Sequence, residues 1–300
     1  MTRTLLVSMP GNERLTAQLA GQLDCETGEL DTRQFPDGET YLRFTTELDK
    51  RSVAIVCTLA HPNEKILPLI FAAATARELG ASRVGLVAPY LAYMRQDRRF
   101  NPGEAVTSRQ MAHLISKAFD WMVTVDPHLH RYSNLSEIYS IPTRVVHAAP
   151  LVSRWIKENV EKPLIIGPDS ESEQWVAAVA SDAEAPYRVL EKVRHGDRDV
   201  RITLGNLEAW RGRAPVLVDD IISSGRTMIE AVRLLAAQGW PTPVCIAVHG
   251  LFADHSDEML VGAGARVVTT NSVGPERSEI DVGPLLGEAT EALADVRLGQ

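Results

Sequence analysis

The stretch Val216–Thr227 reads VLVDDIISSGRT, and it decides how the rest of the chain is interpreted. Its first residues form an apolar strand pattern that ends in two adjacent acids, Asp219 and Asp220. A short loop of small hydroxyl residues and one glycine follows, and helical spacing begins at Thr227. Free N–H groups at a helix N-terminus bind phosphate, and the helix dipole favours the same charge. The stretch therefore predicts an anion site at the end of a buried strand.

The residue types of this stretch fit a phosphorylated sugar. Gly225 permits close backbone approach, while Ser223, Ser224 and Thr227 offer hydroxyl donors. The two acids would repel a phosphate, so we expect them to bind sugar hydroxyls or a cation on those hydroxyls. A plain helix N-cap is the alternative interpretation, but capping needs one such residue rather than two acids and three hydroxyls. The absence of a Walker sequence excludes a P-loop nucleotide site.

Short β-branched runs alternate with amphipathic stretches through most of the chain. This alternation predicts right-handed βαβ crossovers and a mainly parallel sheet covered by helices. The candidate strands are Leu5–Val7, Val53–Cys57, Val84–Ala88, Met122–Val125, Leu164–Ile166, Arg188–Leu190, Val216–Val218, Val244–Val248 and Val267–Thr269. The candidate helices are 13–23, 65–79, 107–119, 149–159, 172–180 and 227–238. Ligands of such sheets bind beyond the carboxyl ends of the strands, so polar clusters at those ends are the candidate site.

Length and a pause in the pattern indicate two domains. The chain has 300 residues, and domains commonly span about 100–200. The alternation stops near Ile141–Thr143 and then resumes. We therefore expect two similar α/β domains, 1–145 and 146–300, each a mainly parallel sheet flanked by helices.

Charge and cysteine usage exclude several functional classes. Lys and Arg total 31 against 39 Asp and Glu, so the net charge is −8, which argues against a nucleic-acid partner that needs a broad basic surface. No apolar run is long enough for a membrane span, so no membrane association is expected. Three scattered cysteines in no metal-ligand spacing indicate a reducing, cytoplasmic setting.

Two further motifs stand near strand ends in the first half. Arg33–Thr40 reads RQFPDGET, in which Pro-Asp-Gly predicts a turn. Ala88–Arg99 reads APYLAYMRQDRR and combines aromatics with a dense set of guanidinium groups. Arginine forks suit polyphosphate, and aromatic or arginine planes suit an adenine ring. An exposed charged loop is the alternative interpretation of the second motif.

Three more polar clusters follow predicted strands. Thr124–His130 reads TVDPHLH, and Gly167–Asp169 reads GPD. An imidazole and a carboxylate can hold a divalent cation, although a lone histidine at a strand end is more often structural. Val189–Arg198 reads VLEKVRHGDR and runs from a strand into a polar loop, for which a solvated hairpin edge is the alternative.

Val216–Thr227 resembles the ribose-5-phosphate-binding loop of the phosphoribosyltransferase fold. With the other motifs, the resemblance narrows to the ribose-phosphate diphosphokinase family and runs from Phe35 to Val282–Leu286. It implies an N-terminal domain with the ATP motifs and a C-terminal domain with the sugar-phosphate and catalytic loops. The implied ATP-binding residues are Phe35, Asp37, Glu39, Arg95, Gln96 and Asp97, the first three reaching the ATP site of a neighbouring subunit. The implied ribose-5-phosphate-binding residues are Arg194, Asp219, Asp220, Ser223, Ser224, Gly225, Arg226 and Thr227.

The resemblance also implies a metal, catalytic cations and an assembly. Mg²⁺ would be bound by His128 and Asp169, with His130 the less favoured ligand. Lys192 and Arg194 match the family's catalytic Lys-x-Arg. The implied protein is a homo-oligomer whose subunits share the ATP site.

The resemblance implies transfer of a diphosphoryl group from ATP to the C1 hydroxyl of ribose 5-phosphate, which yields phosphoribosyl diphosphate and AMP. Arg226 is bulky for a phosphate loop, and Ser170–Gln174 stands where the family usually has glycines. Two alternatives stay open at this point: a phosphoribosyltransferase, and a catalytically silent regulatory homologue. The first leaves the ATP motifs unexplained, and the second predicts loss of the catalytic cations or of the metal pair.

Overall fold

The computed structural model of the chain describes residues 4–168, 172–194, 200–203 and 207–294. These residues form two compact units. Unit 1 comprises residues 4–146 and 283–294, and unit 2 the described residues from 147 to 282. Each unit has one six-stranded sheet and a separate two-stranded hairpin. The predicted α/β class, with mainly parallel sheets flanked by helices, is confirmed.

The sheet of unit 1 is parallel throughout. Its strands are β1 (Leu5–Ser8), β2 (Thr27–Gly28), β5 (Ser52–Val56), β6 (Arg83–Ala88), β7 (Trp121–Val125) and β8 (Thr143–Val146). The antiparallel hairpin consists of β3 (Leu30–Gln34) and β4 (Thr40–Phe44). The helices are α1 (Glu13–Leu23), α2 (Pro62–Glu78), α3 (Thr107–Ala118) and α8 (Gly283–Ala294). The strand order is β2-β1-β5-β6-β7-β8.

The central strands of unit 1 are buried on both faces, as their continuous apolar sequences predict. Trp121, fully buried on β7, packs its indole ring over Gly85 of the neighbouring β6. A Cβ atom at Gly85 would lie 2.0 Å from an indole carbon, so a side chain at this position would displace the ring. The glycine thus allows the largest side chain of this core to pack against the backbone.

The sheet of unit 2 is also parallel throughout. Its strands are β9 (Pro163–Gly167), β10 (Tyr187–Val189), β13 (Ala214–Ile222), β14 (Val244–Gly250), β15 (Arg266–Thr270) and β16 (Ser278–Ile280). The hairpin consists of β11 (Glu191–Arg194) and β12 (Val200–Thr203). The helices are α4 (Ala149–Asn159), α5 (Glu173–Asp182), α6 (Arg226–Ala237) and α7 (Ser256–Gly262). The strand order is β10-β9-β13-β14-β15-β16.

Side chains of the unit 2 strands alternate between two cores, because successive residues of a strand face opposite sides of the sheet. One core packs against α6 and α7 and takes Leu164, Ile166, Leu217, Cys245 and Val267 from the strands. The other packs against α4 and α5 and takes Ile165, Val216, Val218, Ile246 and Val268. Helix α6 buries the face predicted from its i, i+4, i+7 spacing: Met228, Val232 and Leu235.

The last helix of the chain belongs to unit 1, which differs from the expectation that residues 146–300 form one continuous domain. Helix α8 packs against α1, β7 and β8. Gln22 donates to the carbonyl of Pro284 at 2.9 Å, and Arg83 donates to the carbonyl of Leu293 at 2.8 Å. The helix thereby covers one face of a sheet whose strands lie far away in sequence.

The two units repeat one topology. In each, two strands precede a hairpin and four further strands follow it, and the sheet orders correspond position by position. Strand β5 of unit 1 thus corresponds to β13 of unit 2, and β6 to β14. Among the described residues, no helix is both long and apolar enough to cross a membrane.

Candidate functional site

The predicted anion loop follows the central strand β13 of unit 2. The loop Ser223–Gly225 joins β13 to α6, and Gly225 is the N-cap residue with φ 61° and ψ 6°. This left-handed conformation costs an L-residue about 1–2 kcal/mol and costs glycine almost nothing. Arg226 begins the helix with an exposed side chain. The glycine predicted for close backbone approach therefore also turns the chain into the helix.

The backbone N–H groups of this loop are the candidate donors to an anion. Within the described part of the chain, the N–H groups of residues 223–227 have no protein acceptor. The first N–H groups of any helix lack intrahelical partners, and here those of the preceding loop residues add to them. The side chains of Ser223, Ser224 and Thr227 are half-buried beside them. Several donors that converge beside a helix N-terminus are the arrangement that phosphate requires.

The two acids stand on β13 itself, just before the loop. Both Asp219 and Asp220 are half-buried, and Asp219 Oδ1 accepts the N–H of Asp220 at 3.0 Å. One carboxylate is therefore oriented by the backbone of the other residue. The sequence-predicted residues from Asp219 to Thr227 thus lie in one segment of unit 2, from the end of β13 to the first turn of α6.

In unit 1, two predicted loops follow the neighbouring strands β6 and β7. The side chain of Asp97 is 7% exposed, and its Oδ1 lies 3.3 Å from Nε of Arg131 in the loop after β7. The Tyr132 hydroxyl donates to the Asp97 carbonyl at 3.3 Å. The two loops are therefore joined by an ion pair and a hydrogen bond.

A hydrogen bond from Thr107 orients the side-chain amide of Gln96. Thr107, the first residue of α3, donates its hydroxyl to Gln96 Oε1 at 3.0 Å. Since the amide oxygen is occupied, the NH₂ group of Gln96 is the part that can donate to a ligand. Arg95 beside it is exposed.

The candidate metal ligand His128 stands next to a second histidine. Nε2 of His130 lies 3.2 Å from Nδ1 of His128, and the ring centroids are 3.8 Å apart. This hydrogen bond occupies Nδ1, so a metal on His128 would be bound through Nε2. The other predicted ligand, Asp169, lies outside the described residues.

The predicted turn at Phe35–Glu39 closes the hairpin β3–β4. The Phe35 N–H donates to the Glu39 carbonyl at 2.8 Å, and Asp37 Oδ1 accepts the Glu39 N–H at 3.2 Å. The Arg33 guanidinium lies 4.8 Å from the Phe35 ring centroid and 4.4 Å from that of Tyr41. Phe35 is nevertheless 38% exposed, so the hairpin presents to solvent an aromatic ring that is held by a cation–π contact with Arg33.

The turn end of the same hairpin borders a cavity of about 300 Å³. Its lining comes from the residues just after β1, from α2 and from the hairpin strands: Met9, Pro10, Thr32, Arg33, Gln34, Thr40, Glu64, Lys65 and Pro68. The cavity includes none of the predicted ATP-binding residues. Three of those residues, Arg95, Gln96 and Asp97, lie in the loop after β6, and the other three, Phe35, Asp37 and Glu39, lie at the hairpin turn.

The predicted catalytic cations lie on the hairpin of unit 2, whose backbone alone is described at these positions. Lys192 pairs with Ile202, and Arg194 pairs with Val200. The polar loop predicted after this strand falls at residues 195–199, outside the described residues. The structure thus gives these two residues a place on β11.

Buried thiols are excluded as nucleophiles. Burial raises the pKa of the Cys57 thiol to about 12 and that of the Cys245 thiol to about 12. The thiolate is the reactive form of cysteine, so both groups are inert at neutral pH. This agrees with a site whose chemistry depends on phosphate binding.

Sequence reasoning missed three residues that hold the predicted ones: Thr107, Arg131 and Ser256. Arg131 lies 34 positions from Asp97, and no local pattern connects them. Ser256 donates to the carbonyl of Ser223 across 33 positions. Only a correct prediction that β6 lies beside β7, and β13 beside β14, could have suggested that the residues following these strands meet.

The fold and the anion loop define a class of protein. A parallel sheet whose central strand carries two acids, a hydroxyl-rich loop and a left-handed glycine before a helix is a phosphoribosyltransferase-type domain. A repeated α/β unit with its own candidate nucleotide loops accompanies it.

Comparisons with known proteins give the same class and narrow it. The family described as the N-terminal domain of ribose phosphate pyrophosphokinase matches residues 4–118, and the phosphoribosyl transferase domain family matches residues 134–283. The chain belongs to the ribose-phosphate pyrophosphokinase family.

Individual relatives match the chain over nearly its full length. It is 35% identical to the ribose-phosphate pyrophosphokinase of Methanopyrus kandleri, over 94% of this chain and 96% of that one. The corresponding protein of Methanothermobacter thermautotrophicus is 32% identical, over 95% and 99% of the two chains. The crystal structure of phosphoribosylpyrophosphate synthetase from Mycobacterium smegmatis is similar at a TM-score of 0.84 and 25% identity, over 97% of this chain and 98% of that one. The predicted family and its enzyme class are confirmed.

Proposed function

We propose that this chain transfers the diphosphoryl group of ATP to the C1 hydroxyl of ribose 5-phosphate. A bond forms between the C1 oxygen and the β-phosphorus, and the bond from that phosphorus to the oxygen it shares with the α-phosphate breaks. The products are phosphoribosyl diphosphate and AMP. The observation that carries the proposal is the run of N–H groups at residues 223–227 without a protein acceptor, because it suits the phosphate of a sugar substrate.

In unit 2, the loop would bind the phosphate of the substrate, and the two acids would bind its ribose. Ser223–Thr227 would hold the 5-phosphate through backbone N–H groups and hydroxyls. Asp219 and Asp220 would accept hydrogen bonds from the ribose hydroxyls, since a carboxylate is an acceptor only. The sugar is thereby fixed at both ends, which orients its C1 hydroxyl.

In unit 1, we assign the nucleotide to the loop after β6 and to the hairpin turn. Arg95 would bind phosphate oxygens through its exposed guanidinium, and the NH₂ group of Gln96 would donate to the nucleotide. Phe35 offers an exposed ring for adenine, with Asp37 and Glu39 beside it on the turn. Asp97 acts in this set by holding the loop in place through Arg131.

The residues at the metal position fit Mg²⁺ in part. Mg²⁺ prefers oxygen ligands and keeps several waters, so the protein needs to supply only a few ligands, here one imidazole and one carboxylate. His128 would contribute Nε2, since its Nδ1 is occupied by His130. Asp169 would contribute the carboxylate. When bound, the ion would neutralise charge on the ATP phosphates.

Lys192 and Arg194 would stabilise the charge that develops on the leaving α-phosphate. Phosphoryl transfer depends mostly on positioning and electrostatic stabilisation, so two cations on one hairpin strand suit this task.

We further propose a homo-oligomer in which the Phe35–Glu39 turn completes the ATP site of a neighbouring subunit. The support is the exposure of residues 33–39, whose turn makes its hydrogen bonds within itself. The three cysteines form no disulfide among the described residues, which favours a cytoplasmic setting.

One assay tests the activity. The chain is supplied with ATP, Mg²⁺ and ribose 5-phosphate, and AMP formation is measured with and without the sugar phosphate. We expect AMP only when ribose 5-phosphate is present. Failure to form AMP would favour the silent homologue, whereas consumption of phosphoribosyl diphosphate with a base would favour a phosphoribosyltransferase.

A further inference from the structure

The segment that follows β14 has an unusual backbone. Phe252, Asp254 and His255 all take left-handed conformations, with φ of 47°, 56° and 57°. Non-glycine residues rarely adopt this region, and strained backbone concentrates where the surrounding structure demands it. The segment runs from the carboxyl end of β14 into α7, beside the end of β13. Its neighbour is therefore the anion loop.

Three hydrogen bonds join this segment to the anion loop. The N–H groups of Leu251 and Phe252 donate to the Ile222 carbonyl at 2.9 and 3.2 Å. The hydroxyl of Ser256 donates to the Ser223 carbonyl at 2.6 Å. Two consecutive carbonyls, the last of β13 and the first of the loop, are thus turned towards residues 251–256.

The direction of these carbonyls determines the direction of the next N–H groups. In a trans peptide, the carbonyl of one residue and the N–H of the next point in opposite directions. The peptide bonds here are trans. With the carbonyls of Ile222 and Ser223 held by the segment, the N–H groups of Ser223 and Ser224 point away from it. These are two of the N–H groups without a protein acceptor.

We propose that Ser256 is a positioning residue, which orients the anion loop for the phosphate of the substrate without touching it. Its side chain is fully buried, and its hydroxyl is the one side-chain group among the three bonds. Its Cβ lies 3.3 Å from where a Cβ of Gly225 would stand, so it packs directly beneath the left-handed turn. The left-handed residues Phe252, Asp254 and His255 lead the chain into α7, whose first residue is Ser256.

This inference rests on the proposed function, because it assigns the loop to ribose 5-phosphate. A positioning role differs from a purely structural role in its effect on the KM values of the two substrates. Loss of the hydroxyl frees the Ser223 carbonyl to turn, which disturbs the N–H groups of unit 2 and leaves the nucleotide loops of unit 1 unchanged. The KM for ribose 5-phosphate should rise, and the KM for ATP should not.

The test compares Ser256→Ala with Ser153→Ala in the full chain. Ser153 is 2% exposed in the same unit, and its hydroxyl lies 2.8 Å from the Ala149 carbonyl, far in sequence from the loop. Both variants lose one buried hydroxyl bonded to a carbonyl. We expect Ser256→Ala to bind ribose 5-phosphate roughly three- to ten-fold more weakly, the range that one hydrogen bond supports, and Ser153→Ala to bind it like the wild type.

Calorimetric titration with ribose 5-phosphate and steady-state KM values for both substrates provide the readouts. Equal ribose 5-phosphate affinity in Ser256→Ala and the wild type would overturn the positioning role while leaving the proposed function intact. Equal increases in both KM values, or an equal effect of Ser153→Ala, would also overturn it. A wild-type chain that binds no ribose 5-phosphate would overturn the proposed function, and this inference with it.

Discussion

Replacement of Gly225 by alanine should impair both the stability of unit 2 and its binding of ribose 5-phosphate. The residue has φ 61° at the N-cap of α6. An added Cβ would meet the Cβ of Ser256 at 3.3 Å, a separation tighter than almost all real Cβ contacts. Ser256 is fully buried and hydrogen bonded, so it can yield only by disturbing its bond to Ser223.

The magnitude has two parts. The left-handed conformation costs an L-residue about 1–2 kcal/mol, and the close contact brings the total to about 1–3 kcal/mol. For a domain of this size, that loss lowers the Tm by about 3–10 °C. The conformational part alone can be measured at the other end of α6, where Gly239 has φ 73° and nothing within 4 Å of its added Cβ.

The experiment therefore compares Gly225→Ala with Gly239→Ala by thermal unfolding and by the KM for ribose 5-phosphate. Both variants should lose stability, and Gly225→Ala should lose more. A KM increase of about ten-fold or more is expected for Gly225→Ala alone, because only its strain displaces the phosphate-binding N–H groups. If the two variants lost equal stability and bound ribose 5-phosphate equally well, the assignment of the loop would be refuted.

Four further predictions concern individual side chains. Lys192→Ala should keep its Tm and lower turnover roughly 10²–10³-fold, and near-normal turnover would show that the catalytic assignment is wrong. Arg131→Ala should cost about 1–3 kcal/mol and raise the KM for ATP, because it leaves the 7%-exposed Asp97 carboxylate without its cation. Breaking the exposed pair of Lys157 and Glu184 should destabilise the chain less. At pH 8 a thiol reagent should label Cys25 alone in the native chain, since burial raises the pKa of the other two cysteines to about 12. Because the unfolded chain releases those two protons first, the free energy of unfolding should fall as the pH rises from about 9 towards 12, which chemical denaturation would measure.

The sequence was most informative where burial is most complete. Strands β5, β6, β7, β13 and β14 were predicted because a parallel strand buried on both faces leaves a continuous apolar run. The anion loop was predicted because its chemistry is local and lies within one stretch of twelve residues, Val216–Thr227.

Features that depend on distant partners could not be read from the sequence. The hairpin β3–β4 is mostly exposed, so only its Pro-Asp-Gly turn gave a signal. Helix α8 is apolar over most of its length, but nothing local indicates that it covers unit 1 rather than unit 2. The comparison of the two units explains the position of α8. Helix α8 packs on α1, β7 and β8 in unit 1, and helix α4 packs on α5 and β16 in unit 2. Strand β8 holds the same place in its sheet as β16, so α8 is the counterpart of α4. Each sheet therefore has a helix at the same position. In unit 2 this helix precedes the strands in sequence, and in unit 1 it follows them.

The repeated topology allows the proposed sugar-phosphate loop to be compared with the corresponding loop of unit 1. The strand of unit 1 that corresponds to β13 is β5, and the helix after it also begins from a left-handed N-cap, His61 with φ 53°. The backbone path is kept, but two of the donors are lost. The N–H of Leu59, at the position of Ser223, donates to the Tyr90 carbonyl at 3.0 Å, and the first helical residue is Pro62, which has no N–H.

The corresponding loop of unit 2 leaves its donors open and turns its carbonyls away. The loop of unit 2 therefore offers more peptide donors to an anion than its counterpart in unit 1, although both follow the same fold. In unit 1, the residues proposed for the nucleotide and the metal, Arg95, Gln96 and His128, lie in the loops after the next strands, β6 and β7. The proposed assignment of the sugar phosphate to unit 2 agrees with this difference in peptide groups.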